Sequence, residues 1–205
     1  MGERYTVIGH PNSRAMRIIW MLEELGLDYD IQPEQPRSEA VRRMNPSGKI
    51  PLLKVNDDVL IDSVAIVTYL ADRHNCLTMK AGTIPRAIQD SFTQFCVDEV
   101  EGPLWTAAKN SFVHPEELRV PEIKRVCRAE FARAMETLAV RLGDNEFVMG
   151  QAFTVPDLLL GHCAIWARAA KFELPGGVVG DYFDRVLARP ALKAAKERAA
   201  SARAA

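Results

Sequence analysis

The sequence predicts an α/β plus all-α protein: a small four-stranded unit over residues 1–78, then an all-helical domain over residues 84–205. Three observations carry that expectation. Short β-branched and aromatic runs ended by turn residues occur only in the opening part of the chain. Beyond about residue 83 the apolar positions switch to the helical period. A length of 205 residues allows one large domain or two small ones.

Arg4 to Ile8 (RYTVI) reads as a strand stopped by Gly9, which feeds a loop at His10–Asn12. A helix follows from Ser13, because Ala15, Ile18, Ile19, Leu22 and Leu25 share one face and Gly26 suits the position just past its end. Tyr29 to Gln32 reads as a second strand, so the start implies a right-handed crossover between parallel strands. Pro33 to Ser47, polar and holding three arginines, reads as a loop or a short irregular helix. Ile50–Val55 and Val59–Ile61 form a hairpin pattern around Asn56-Asp57-Asp58. Val64, Ile66, Val67 and Leu70 then mark a helix that Asp62 or Ser63 can cap. The unit ends near His74, with Cys76–Thr83 as linker.

In the second half the helical period is carried by Ile88, Phe92 and Phe95, by Ile123 through Leu142, and by Leu158 through Trp166. Gly102-Pro103 should end or kink the first of these helices, since proline lacks a donor and clashes with the preceding turn. Phe153-Thr154-Val155-Pro156-Asp157-Leu158 is a capping box with a hydrophobic staple: the Asp157 carboxylate reaches back to the Thr154 amide, and the motif serves folding rather than chemistry. The Ala-rich stretch Ala191–Ala205 reads as a terminal helix that frays.

Composition narrows the function classes. Hydrophobic residues at 48% and charged residues at 26% are near globular averages, which argues against disorder. The net charge is -1 and neither half carries the positive excess that nucleic-acid binding requires, so no nucleic-acid partner is expected. The opening MGERYTVIG has no basic stretch before a long apolar run, and no segment approaches ~18 uncharged apolar residues, so neither export nor membrane spanning is expected and cytoplasm is the default. Cys76, Cys96, Cys127 and Cys163 show no C-x-x-C pair and read as buried reduced thiols. His10, His74, His114 and His162 show no ligand spacing, so no metal site is expected.

A strand ending in a loop that opens onto a helix gathers backbone amides and a positive helix end, a geometry suited to an anion or a thiolate. Ser13 stands there, either as a simple cap or as a hydroxyl that donates to a thiolate and lowers the thiol pKa. Pro51 precedes a strand, where a cis Ile50–Pro51 bond would leave the backbone groups of Ile50 for a peptide-like ligand. Asp62-Ser63 at a helix start would meet the ammonium and carboxylate ends of an amino acid, or merely cap the helix.

With GHPNSRAMR, NPSGKIPLL, DSVAIVTYL, FTVPDLLL and ARPALKAA in this order, the sequence resembles the cytosolic glutathione transferases from residue 4 to about residue 195. The resemblance implies a thioredoxin-like N-terminal domain, an all-α C-terminal domain, and a homodimer that binds glutathione in the interdomain cleft. It implies Ser13 as the catalytic serine of phi-type members, with Asn12 as the rival because some bacterial relatives use an asparagine in this loop. Ile50 would pair with the cysteinyl part of glutathione, Pro51 would be the cis proline, and Asp62 and Ser63 would grip the γ-glutamyl end. Lys49 and Arg37 would meet the glycyl carboxylate. Asp98 either reaches the partner subunit's γ-glutamyl group or is an ordinary helix charge. The first loop has no Cys, unlike the bacterial beta and omega types, and residues 9–13 contain no Tyr.

For a hydrophobic electrophile, Trp105, Phe112 and Trp166, with His10 at the cleft edge, are pocket candidates, although aromatics at helical spacing are more often core. The activity so implied is glutathione conjugation. The alternatives are glutathione-dependent peroxide or disulfide reduction, which needs the same thiolate, and a non-catalytic interaction protein of the same fold.

Overall fold

The computed structural model of the chain describes residues 3–204. Strands β1 (Tyr5–Ile8), β2 (Tyr29–Gln32), β3 (Leu52–Val55) and β4 (Asp58–Ile61) form one sheet in the order β2-β1-β3-β4. As the crossover argument requires, β1 and β2 are parallel; β1–β3 and β3–β4 are antiparallel. Three helices belong to this sheet: α1 (Ala15–Glu24), α2 (Glu39–Met44) and α3 (Ser63–Arg73). Val7, Leu52 and Leu53 on the sheet, Ile18, Ile19, Trp20 and Leu22 on α1, and Ile66, Val67 and Leu70 on α3 are fully buried. Each such aliphatic side chain contributes about 1.5–3 kcal/mol relative to leaving it exposed.

Three local expectations shift. Helix α1 begins at Ala15, because Ser13 and Arg14 are spent in the turn that leaves β1. The polar stretch after β2 holds the six-residue helix α2, anchored by Val41 against Ile8 and Leu52. The β3–β4 turn narrows to two residues, since Val55 pairs with Asp58 and Asn56 takes a positive φ of 52° that asparagine tolerates well.

A second unit, Met79–Leu187, is helical. It contains α4 (Ile84–Phe95), α5 (Gly102–Ala108), α6 (Ile123–Leu142), α7 (Val155–Ala169) and α8 (Gly177–Leu187). Thr83 caps α4 by accepting from the Arg86 amide. Gly102-Pro103 does not end the helix. Residues Cys96–Glu101 widen into a π-helical stretch immediately before α5, and the chain stays helical through Ala108. A wider turn gives the proline ring room and needs no amide from Pro103, which is how the local clash is absorbed. A second π-helical stretch, Lys109–Val113, and a short turn of 3₁₀-helix at Glu116–Leu118 lead to α6.

The capping box at the start of α7 goes beyond local capping. Oδ2 of Asp157 accepts from the Thr154 amide at 2.8 Å and the Thr154 hydroxyl at 2.9 Å. Oδ1 accepts from the Val148 amide at 3.0 Å and the Tyr182 hydroxyl at 2.9 Å. Burial pushes the Asp157 carboxyl above the usual carboxylate range, opposed by these four hydrogen bonds, and the Tyr182 hydroxyl is pushed up for the same reason.

The Ala-rich end departs furthest from expectation. Helix α9 (Pro190–Ala204) groups with the first unit, together with the described residues through Thr78. It packs on α1, and Leu192, Ala195 and Ala199 are buried along one stripe. Arg189 holds Glu24 through two donors at 2.6 and 2.7 Å, while Arg198 lies 4.8 Å from the Tyr29 ring centroid and donates to the Tyr29 carbonyl at 2.8 Å. A helix tied at these points is docked rather than frayed. Of the four cysteines, Cys76 is exposed, against expectation, and the other three are buried, with the Cys96 and Cys163 sulfurs 3.8 Å apart. No helix among the described residues is long and apolar enough to cross a membrane.

Candidate functional site

Strand register assembles the site. Ile8 pairs with Leu52, and Leu52 pairs with Ile61, so the chain leaves β1, enters β3 and leaves β4 at one end of the sheet. The residues just beyond those three are Gly9, Pro51 and Asp62. Sequence positions more than forty residues apart are thereby brought to one edge.

The first of these is the loop from Gly9 to Arg14. Gly9 has φ 142°, and a Cβ on it would lie 3.1 Å from the Ile50 Cβ, so the loop passes directly over the Ile50–Pro51 bond. The Ser13 amide donates to the His10 carbonyl, and the Ser13 hydroxyl accepts from the Ala15 amide at 3.1 Å. That bond uses a lone pair of the half-buried hydroxyl and leaves its proton to be directed elsewhere, so capping and donation are compatible. The exposed Asn12 offers its amide to His10 Nδ1 at 3.2 Å.

The Ile50–Pro51 peptide bond is cis, as anticipated. The loop ahead of it is held by Asn45, which is buried: its Nδ2 donates to the Lys49 carbonyl, and its Oδ1 accepts from the Ser47 amide and hydroxyl. Arg37, at φ 67°, donates its amide to the Gly48 carbonyl at 2.7 Å. A side chain at Gly48 would come within 3.2 Å of the exposed Arg37, so the two positions pack against each other, and Lys49 follows Gly48 in the chain. Asn45 was legible only as a loop residue, because its importance lies in bonds that appear after folding.

Asp62 and Ser63 begin α3. The exposed Asp62 carboxylate accepts from the Val64 and Ala65 amides at 3.0 and 3.2 Å, so it is Asp62 that caps. Ser63 is buried, and its hydroxyl accepts from the Arg17 guanidinium at 3.2 Å. Arg17 itself is 1% exposed, on α1 one turn beyond Ser13. In sequence it stands only as a member of the GHPNSRAMR motif. Its burial had no signal, since arginine is almost always exposed.

All but one of the remaining candidates lie in the second unit. Trp105 on α5 and Trp166 on α7 meet edge to face at 6.3 Å, and His162 adds a ring 6.5 Å from Trp166. Both tryptophans are half-buried. Phe112 is 71% exposed in the second π-helical stretch, and Asp98 is exposed in the first. His10 belongs to the first unit, half-buried.

A four-stranded mixed sheet with a cis-proline edge, followed by a helical unit, defines a thioredoxin-like fold with an all-helical partner. Residues 13–73 match the family described as Glutathione S-transferase, N-terminal domain. Glutathione S-transferase 2 of Anopheles gambiae is 30% identical over 73% of this chain and 74% of its own. Glutathione S-transferase 2 of Schizosaccharomyces pombe is 28% identical over 97% of this chain and 96% of its own. The crystal structure of the glutathione transferase URE2P6 from Phanerochaete chrysosporium, in complex with oxidised glutathione, superposes with a TM-score of 0.83 at 26% identity, covering 98% of both chains. The chain belongs to the glutathione S-transferase family.

Proposed function

We propose that the protein binds glutathione at the edge formed by the Gly9–Ser13 loop, the cis Ile50–Pro51 bond and Asp62-Ser63, and transfers it to a hydrophobic electrophile. The convergence of these three segments at one end of the sheet carries the reading. The backbone groups of Ile50 pair with the cysteinyl residue of glutathione, Asp62 takes its ammonium group, and Ser63 takes the adjacent carboxylate. Lys49 and Arg37 face the glycyl carboxylate. The Ser13 hydroxyl, already accepting from Ala15, donates to the glutathione sulfur and stabilises its anionic form.

The thiol proton leaves to solvent, and the thiolate attacks an electrophilic carbon. A C–S bond forms as the leaving group departs with its electron pair. Trp105 and Trp166 offer an apolar, partly exposed surface for the electrophile. The cytoplasm, where glutathione keeps thiols reduced, suits cysteines that form no disulfide among the described residues, and the working form is a homodimer.

Retention on glutathione-agarose tests binding, and Ser13→Ala tests activation. The variant should conjugate an aryl halide about 10–100-fold more slowly, the equivalent of one charge-assisted hydrogen bond. The bound thiol should titrate at higher pH. An unchanged rate and titration would move the role to Asn12, and failure to bind glutathione would overturn the reading.

A further inference from the structure

Cys96 and Cys163 stand 67 residues apart in the chain, yet their sulfurs lie 3.8 Å from each other and both residues are 0% exposed. Cys96 is the first residue of the π-helical stretch that follows α4, and Cys163 lies within α7. The elements that carry them are fixed by other means. Helix α4 and the π-helical stretch both pack on α7, and Asp157 ties the start of α7 to Val148 and to Tyr182 of α8. A single buried cysteine behaves as a small apolar side chain. Two in contact have a chemistry that one lacks, because a sulfur oxidised to the sulfenic level finds a second thiol already in place.

The distance suits that chemistry. A disulfide needs sulfurs about 2.05 Å apart, so these two would close by about 1.8 Å, a movement that rotation about the two Cα–Cβ bonds supplies without carrying either helix far. Access selects the oxidant. Since neither side chain reaches the surface, a molecule as large as oxidised glutathione cannot set its disulfide against either sulfur, whereas hydrogen peroxide, little larger than water, enters with the small openings of packed helices. We propose that Cys96 and Cys163 form a modification site, a dithiol that small hydroperoxides convert to an intramolecular disulfide joining the π-helical stretch to α7. In the first step one sulfur attacks an oxygen of hydrogen peroxide. The O–O bond breaks, an S–O bond forms, and the thiol proton leaves with the departing oxygen as water. In the second step the other sulfur attacks the sulfenic sulfur, the S–O bond breaks as the S–S bond forms, and hydroxide departs with the remaining thiol proton as a second water. The two sulfurs give up two electrons and the peroxide takes them. This chemistry concerns the second unit alone and stands apart from glutathione transfer.

The test uses the full-length protein carrying Cys76→Ser, which removes the exposed thiol as a competitor. Samples are treated with hydrogen peroxide or with oxidised glutathione, then unfolded, alkylated and digested without reductant. Peroxide should yield a peptide pair joined through Cys96 and Cys163, two hydrogens lighter than the separate thiol peptides and released by dithiothreitol. Oxidised glutathione should leave both cysteines as thiols. Adding Cys127→Ser should leave the joined pair unchanged. Because the bond closes a long loop, the peroxide-treated protein should unfold at a higher urea midpoint than the same sample after dithiothreitol. Recovery of Cys96 and Cys163 as separate residues after peroxide, with the protein still folded, would overturn the proposal. A disulfide that lowers the midpoint would overturn it too, since the sulfurs would then have been forced together rather than preset. A glutathione adduct on either cysteine would overturn the selection of small oxidants.

Discussion

Helices α3 and α7 each have an aspartate at or near the N-terminus that accepts from backbone amides, Asp62 just before α3 and Asp157 in the first turn of α7, yet the two carboxylates live in different surroundings. Asp62 is exposed and accepts only from Val64 and Ala65 among the described side-chain bonds. Asp157 is fully buried and accepts from Val148, Tyr182 and both donors of Thr154. A carboxylate has about four lone-pair sites, so Asp157 has nothing left for a ligand, whereas Asp62 keeps oxygen lone pairs facing water. The same capping chemistry thus locks a fold in one helix and leaves an exposed carboxylate in the other.

The same conservative substitution should separate the two. Asp157→Asn places an NH₂ donor against groups that are themselves donors, and leaving buried donors unmatched should cost about 2–4 kcal/mol. Urea unfolding should show a lower midpoint with an unchanged slope, and the folded fraction should bind glutathione as wild type does. A stability loss under about 0.5 kcal/mol, the range of ordinary surface changes, would mean that the network does not hold α7 in place.

Glu24 supplies an intermediate case, a carboxylate whose side chain is 6% exposed and which Arg189 and Trp20 both address. Arg189→Met would leave it with the Trp20 indole as its remaining donor among the described side-chain bonds, at an expected cost of about 1–3 kcal/mol. If α9 is docked on α1 as described, the loss should appear together with faster hydrogen exchange in α9. Faster exchange in α9 with no loss of global stability would mean that this helix opens independently of the sheet.

What the sequence revealed follows the same division. The strands, α1 and α3 were legible because alternation and helical period are local, and Ser13, the cis Ile50–Pro51 bond and the Asp62 cap were legible because each sits at an element boundary marked by residue type. Asp157 was legible as a cap but not as a network, since Val148 and Tyr182 reach it from elsewhere in the fold. Arg17 and Asn45 were missed as site residues because a buried polar side chain looks like any exposed one until its partners are in place. The docking of α9 was missed for a related reason: Leu192, Ala195 and Ala199 make a narrow stripe of small side chains, and the ion pair to Glu24 spans 165 residues.

At the exposed end of the comparison, Asp62→Asn should be nearly silent in folding. Asparagine caps about as well as aspartate and tolerates the φ of 70° found here, so stability should stay within about 0.5 kcal/mol. What the substitution removes is the charge, and glutathione affinity by titration should fall about tenfold through the weakened bond to its ammonium group. An unchanged affinity, with stability also unchanged, would return Asp62 to the role of a plain cap and erase the distinction drawn between the two helices.

The smallest effect is expected at Glu3, which tests whether a half-buried carboxylate contributes to folding through partners other than a helix. It accepts from the Tyr5 hydroxyl and from Arg73, and those bonds, the one from Tyr5 foremost, hold its carboxyl below the usual range. A carboxyl whose pKa is lower in the folded state binds fewer protons there than in the unfolded chain. Its contribution is therefore fully present above the unfolded value of about 4.3 and fades as the pH falls through the folded value. Glu3→Gln should accordingly cost little near neutral pH and flatten the acid side of the stability curve, so that wild type and variant converge below about pH 4. Parallel curves from pH 7 to pH 3 would show that Glu3 ionises alike in both states and that its bonds to Tyr5 and Arg73 add nothing to stability.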